Sequence, residues 1–348
     1  MSVAFARSLF GEDHGRHDLA AMVGPVEPTG DDDVDQLLAS ANVGQLFWYT
    51  LPTLKITMET LRAAYKKAGI DQRWLPGEIR PADAFRRATS SLERSTEVPM
   101  DGKPMRATLM VRDVVGSDKD RVVRQAVVEV RDAAKVRLLY TPAGQFELRK
   151  QDTRADAWEM DGIETLPTSA QEMVREAVRG FASVYEDALQ YLDDGHVRRA
   201  MDAMMREEHV VSVRPSGGVF FALEKRREVV RQLGDLFDGL RDAEIAGTFY
   251  AVPVINMAKQ REMVAEAALV HVKGEVGSLI HEVDKILTDQ AEGRRVRQST
   301  AEGYLRELKR LSDLVGEYRA ATRDHLADAT GELDLLKTQV TTLLAVAE

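Results

Sequence analysis

The chain has 348 residues, no cysteine and a formal net charge of −10; charged residues make up 30% of it and aromatic residues 6%. Without cysteine there are no disulfides, thiolate nucleophiles or cysteine-ligated zinc, and the acidic balance argues against a surface that binds nucleic acid all over, because such binding rests on neutralising phosphates. The length allows two or three compact units, and the high charge with few aromatics leans toward helix.

Residues 1–43 are acidic, carry Asp31-Asp32-Asp33 among several Gly and Pro, and offer little apolar surface, which predicts a disordered arm. His14 and His17, flanked by Asp13 and Asp18, sit in that arm without a rigid supporting shell, so no metal is expected there. The first ten residues lack the apolar stretch of a secretion signal, and no run of about 18 apolar residues occurs anywhere. The expectation is a cytoplasmic protein without a membrane partner.

Residues 44–163 read as an α+β domain. Leu46 to Leu51 is a β-prone run stopped by Pro52, and helices are predicted after Thr57 and from Pro81, the latter with Ala84, Phe85 and Ala88 on one face. Residues 106–150 alternate as a four-stranded antiparallel meander. Its apolar face collects Ala107, Leu109 and Val111, then Ala126, Val128 and Val130, then Val136, Leu138 and Tyr140, then Phe146 and Leu148. Turns are predicted at 116–120, 132–134 and 142–144.

Residues 164–255 read as helices with a β-hairpin and a strand. A helix opens at Thr168-x-x-Gln171 and carries Val174, Val178, Phe181 and Tyr185; a second runs through Val197, Met201 and Met204. Val210 to Val213 and Val219 to Ala222 flank Pro215-Ser216-Gly217-Gly218 as a hairpin, a helix follows through Leu233 and Leu236, and Thr248 to Ile255 returns to a strand.

Residues 256–348 predict a long helical hairpin with coiled-coil character. Val272, Val276, Leu279, Val283 and Ile286 form one stripe ending near Gly293. Tyr304, Leu308, Leu311, Val315 and Tyr318 follow at alternating spacings of four and three, continue through weaker Thr322, His325 and Ala329, and slip by one residue into Leu333, Leu336, Val340 and Leu343. An unbroken helix over 302–346 would span roughly 67 Å, longer than a small domain is wide, and would need a partner. The preceding antiparallel helix can cover part of its apolar face; the remainder must find the body of this protomer or another one, and self-association is the economical inference. The seam residues Leu308, Leu311, Val315, Tyr318, Leu333, Leu336 and Val340 are therefore predicted to form a homo-oligomer or to dock another protein.

No motif carries catalysis. GxGxxG and GxxxxGK[ST] are absent, Gly217-Gly218 opens a hairpin rather than a helix, and Asp113 with Glu147 and Lys150 lacks a nuclease spacing. No catalytic residue, cofactor or metal ligand is assigned. Arg112, Arg131, Lys135, Arg137 and Arg149 alternate with the apolar set of the meander, and residues 103–150 carry a net charge of about +5. The ordinary reading is a solvated outer face. The alternative is a nucleic-acid-binding face, although Tyr140 and Phe146 are assigned inward, leaving it without the aromatics of a single-strand platform.

Phe47-Trp48-Tyr49-Thr50-Leu51-Pro52, Asp83-Ala84-Phe85-Arg86-Arg87-Ala88, Arg214-Pro215-Ser216-Gly217-Gly218-Val219-Phe220, Val252-Pro253-Val254 and Gln260-Arg261-Glu262-Met263 resemble, in that order, landmarks of uncharacterised proteins of actinobacteria and their phages. The resemblance covers residues 45 to about 320 and implies a phage-related setting, with no activity or site attached. The expectation is a non-enzymatic structural or interaction protein that self-associates through its C-terminal helices.

Overall fold

The computed structural model describes residues 41–100, 102–114, 120–214, 217–322 and 330–347. The expected arm with His14 and His17, most of the turn at 116–120, Pro215-Ser216, and the seam positions His325 and Ala329 lie outside the described residues.

In chain order the elements are β1 (Asn42–Thr50), α1 (Met58–Lys67), α2 (Pro81–Ser91), β2 (Arg94–Met100), β3 (Lys103–Asp113), β4 (Arg121–Arg131), β5 (Arg137–Arg149) and β6 (Ala155–Glu159). There follow α3 (Thr168–Gln190), α4 (Asp194–Glu207), β7 (Val211–Ser212), β8 (Phe220–Leu223), α5 (Arg227–Asp242), β9 (Thr248–Ile255), α6 (Ala258–Ala291), α7 (Gln298–Thr322) and α8 (Thr330–Val346). The fold is α+β, with two antiparallel sheets ordered β7-β8-β1-β9 and β2-β3-β4-β5-β6.

The four-stranded sheet is the middle of three layers. Side chains alternate along its strands, so Phe47, Tyr49, Phe220, Ala222 and Phe249 pack toward the helices α1, α4 and α5. Leu46, Phe221, Leu223 and Val254 pack the other way, into α6, α7 and α8. At Gly44 a Cβ would lie 2.0 Å from the carbonyl oxygen of Ala222, so only glycine lets β8 approach β1 there. Because β1 pairs with both β8 and β9, the expected boundary at 163/164 does not separate two cores.

The five-stranded sheet buries one face only. Ala107, Leu109, Val111, Ala126, Val128, Val130, Phe146 and Leu148 pack with Phe85 of α2 and with Val174 and Phe181 of α3. Arg124 is buried on this same face; its Nη1 donates to Thr89 Oγ1 at 2.6 Å, Ser90 Oγ at 3.0 Å and Arg86 O at 3.1 Å, and its Nε lies 3.0 Å from Asp113 Oδ1.

Two expectations for the meander are corrected. The turn predicted at 142–144 is a bulge inside the single strand β5: Val127 pairs with Pro142 and Ala126 with Gly144, leaving buried Ala143 as the extra residue. Proline is tolerated at such a bulge. The third and fourth predicted strands are therefore one, and β2 and β6 complete the five.

The C-terminal hairpin is corrected to three packed helices. Arg310 of α7 pairs with Glu275 of α6, and Tyr304 donates to Glu282 at 3.0 Å, so these two run antiparallel. Leu336, Val340 and Leu343 of α8 are buried in the same core, and Lys273 of α6 lies 3.7 Å from Glu332 at the start of α8. Leu305 and Leu308 of α7 line one surface pocket with Leu333 and Lys337 of α8, so the two helices lie side by side rather than in line as one helix over 302–346.

Candidate functional site

The predicted seam is core. Leu311 and Tyr318 are fully buried, as are Leu308, Val315, Leu336 and Val340, with Leu333 partly buried; all pack within the protomer against α6 and the four-stranded sheet. These side chains are covered within the protomer, Leu333 in part, so their burial needs no second copy. Around Tyr318 the bundle is locked to the body. Its hydroxyl lies 3.0 Å from His209 O and 3.2 Å from Phe221 O, and burial pushes its pKa far up. Neighbouring Glu317 meets Lys225 at 2.9 Å, His209 Nδ1 at 3.0 Å and Arg226 at 3.3 Å. Burial works against its charge, but hydrogen bonds from Lys225 and His209 hold its carboxyl below the ordinary range.

Among the described residues, no element covers the outer face of the five-stranded sheet. Arg106, Arg131 and Arg137 are direct cross-strand neighbours on β3, β4 and β5. Glu129, nearly buried at 6% exposure, pairs with Arg131 at 2.9 Å and with Arg137. Its carboxyl is held low by the hydrogen bond from Arg131, then against burial by that from Arg137. Arg149 is held by Asp156 at 3.1 Å, and Arg121 by Glu147 at 3.4 Å. Among the described residues no carboxylate pairs with Arg106, Arg112 or Lys135; Arg112 reaches the sulfur of Met110 at 3.1 Å, and Lys135 adopts a positive φ of 63° in the turn after β4.

Tyr140 is on this face, not the inner one. Val130 pairs with Leu139 and Arg131 with Arg137, so Leu138 is a second bulge, and the phase of the alternation changes across it. Leu139 takes the core position, while Val136, Leu138 and Tyr140 are exposed, Tyr140 by 47%. The Arg137 guanidinium lies 4.8 Å over the Tyr140 ring. Trp158, on β6 opposite Gln145, is also exposed. The adjacent Leu138-Leu139 pair is the signal that leaves the inward phase ambiguous, and Arg106 lies in the same alternating set as Arg112.

Among the described residues the outer edge of β9 is uncovered as well. Asn256 N–H donates to Ala41 O at 2.7 Å; alternation along a strand then turns the even-numbered amides toward β1 and those of Phe249, Ala251 and Ile255 outward. Pro253 belongs to the outward set, where its missing N–H breaks no bond to β1. The eight residues of the strand carry no charge, and Tyr250 (53%), Val252 (42%), Ile255 and Met257 are exposed beside it. Trp48 stacks on Tyr250 with ring centroids 5.6 Å apart.

A family model described as a family of unknown function, DUF6744, matches residues 42–348. No curated protein and no solved structure matches the chain.

Proposed function

The chain belongs to this family of unknown function, and from its geometry we propose that it is a non-enzymatic interaction protein that self-associates, two copies pairing antiparallel along β9. The observation that carries this reading is the uncharged open edge, with outward amides at Phe249, Ala251 and Ile255 and exposed Tyr250 and Val252 beside them. Edge strands are ordinarily blunted by lysine, charge or coverage, and among the described residues a single proline is the defence here. The copies meet here rather than through the C-terminal helices, whose seam is enclosed.

A second copy fits this edge in a definite register. With Ala251 opposite its own counterpart, the two outward-facing alanines exchange both hydrogen bonds, Phe249 N–H meets Pro253 O on each side, and Tyr250 faces Val252. No charge is opposed. Eight residues give a contact roughly 27 Å long, and with Trp48, Tyr250, Val252, Ile255 and Met257 from both copies it approaches the ~800 Å² per partner of stable interfaces. The phage-related setting implied by the resemblance suits an assembly role. A cytoplasmic location belongs to the same reading; no helix among the described residues is long and apolar enough to cross a membrane.

Sedimentation of the full chain tests this. The wild type is expected as a dimer and Tyr250→Lys with Val252→Lys as a folded monomer that keeps the wild-type circular dichroism spectrum, since both side chains are exposed; its melting temperature, unlike that of the wild type, should not depend on concentration. A wild type that stays monomeric at every concentration, or a dimeric double variant, overturns it.

A further inference from the structure

We propose that the outer face of the five-stranded sheet binds single-stranded nucleic acid, with Arg106, Arg131, Lys135 and Arg137 taking phosphates and Tyr140 taking a base. This site is independent of the β9 edge. Its first support is the arginine row across β3, β4 and β5. Like charges directly opposite one another destabilise a sheet, and only Glu129 sits among these three, engaged with Arg131 and Arg137. Arg106 and Arg112 have no carboxylate partner among the described residues, and Arg131 and Arg137 share the single carboxylate of Glu129, so the row keeps positive charge for an anionic ligand.

Its second support is aromatic. Tyr140 presents a ring at 47% exposure with a guanidinium already over it, and Trp158 presents another on the same face. Tyr140 pairs through Glu129, whereas Trp158 lies in the row of Gln145 and Gln125, so the two rings stand roughly 14 Å apart along the strands. About four nucleotides span that distance at ~3.4 Å each. Base faces are available for stacking in a single strand and hidden in a duplex, which selects the strand type. An acidic peptide would satisfy the arginines but leave the rings without a planar partner.

The acidic remainder of the chain confines the contact to this face. Arg149 and Arg121 fall outside the site because they pair with each other at the opposite end of β4 and β5 from Arg131 and Arg137. Glu97, opposite Arg106 on β2, bounds the positive area on the other side.

The test is fluorescence anisotropy of the full chain with labelled oligo-dT and oligo-U of twenty nucleotides and with a duplex of equal length, at low salt. Binding of at least one single strand more tightly than the duplex is expected. Arg106→Gln with Arg131→Gln should weaken it at least tenfold and lower the salt slope by about 1.4, two phosphates at ~0.7 each. Glu129 keeps Arg137 in that variant, so the fold is not at risk. Tyr140→Ala should weaken binding about tenfold, and Arg149→Gln should leave it within twofold. Absence of binding at low salt, tighter duplex binding, wild-type affinity in the Arg106/Arg131 or Tyr140 variants, or an equal loss in Arg149→Gln would each overturn the site.

Discussion

The two sheets solve the same burial problem in opposite ways. Among the described residues, the four-stranded sheet is covered on both faces by helices and leaves an edge open, while the five-stranded sheet has helices on one face and leaves the other bare. An open edge offers backbone donors and acceptors, which another strand satisfies. A bare face offers side chains, and here those are arginines with two exposed rings. Which surface a sheet leaves uncovered thus sets the chemistry of what it can bind.

The comparison breaks most severely if the C-terminal bundle is not what covers the four-stranded sheet. Leu311→Ala empties a fully buried site, and should cost about 2 to 5 kcal/mol in denaturant unfolding while leaving the oligomeric mass unchanged. A variant that loses association but not stability would return the seam to an intermolecular role. For the five-stranded sheet the matching test is Arg124→Met. It removes the donor shared by Thr89, Ser90 and Arg86 O and should lower stability by about 1.5 to 3 kcal/mol; an unchanged melt would show that α2 needs no such anchor.

Glu317→Gln probes the lock between bundle and body with a smaller expected loss, about 1 to 2 kcal/mol at neutral pH. Because the folded-state pKa of Glu317 is depressed, its contribution is full above the unfolded value near ~4.3 and is lost as pH falls through the lower folded value. Wild type and variant should therefore converge in stability on the acid side; parallel curves down to that range would contradict the lock. The smallest effect is on the bare face. Arg137→Gln should change stability by less than about 0.5 kcal/mol, whereas Arg137→Glu would set a second carboxylate against nearly buried Glu129 and should be measurably worse in thermal melts.

Much of this architecture was legible in the chain. The α+β class, the inward sets on β3 and β4 and the stripe along α6 follow from period-two and heptad spacing, because burial imposes those periods directly. Bulges escape such counting: the extra residues Leu138 and Ala143 shift the phase of β5, so Tyr140 reads as core and Pro142 as a turn. The short strands β2 and β6 escape it too, since Arg94–Met100 and Ala155–Glu159 carry too few buried apolar residues to alternate visibly. Heptads state that a seam is buried but not by whom, and the partner proved to be α6 of the same chain. The open edge of β9 depends on strand order, which no local pattern contains.

Pairing along that edge can be followed by amide hydrogen exchange resolved to single residues across a concentration series. The amides of Phe249 and Ala251 should become protected in step with dimer formation, while that of Val252, already directed at β1, should be protected throughout. Exchange at Phe249 and Ala251 that stays fast while the mass doubles would contradict it, because the copies would then be meeting somewhere other than β9.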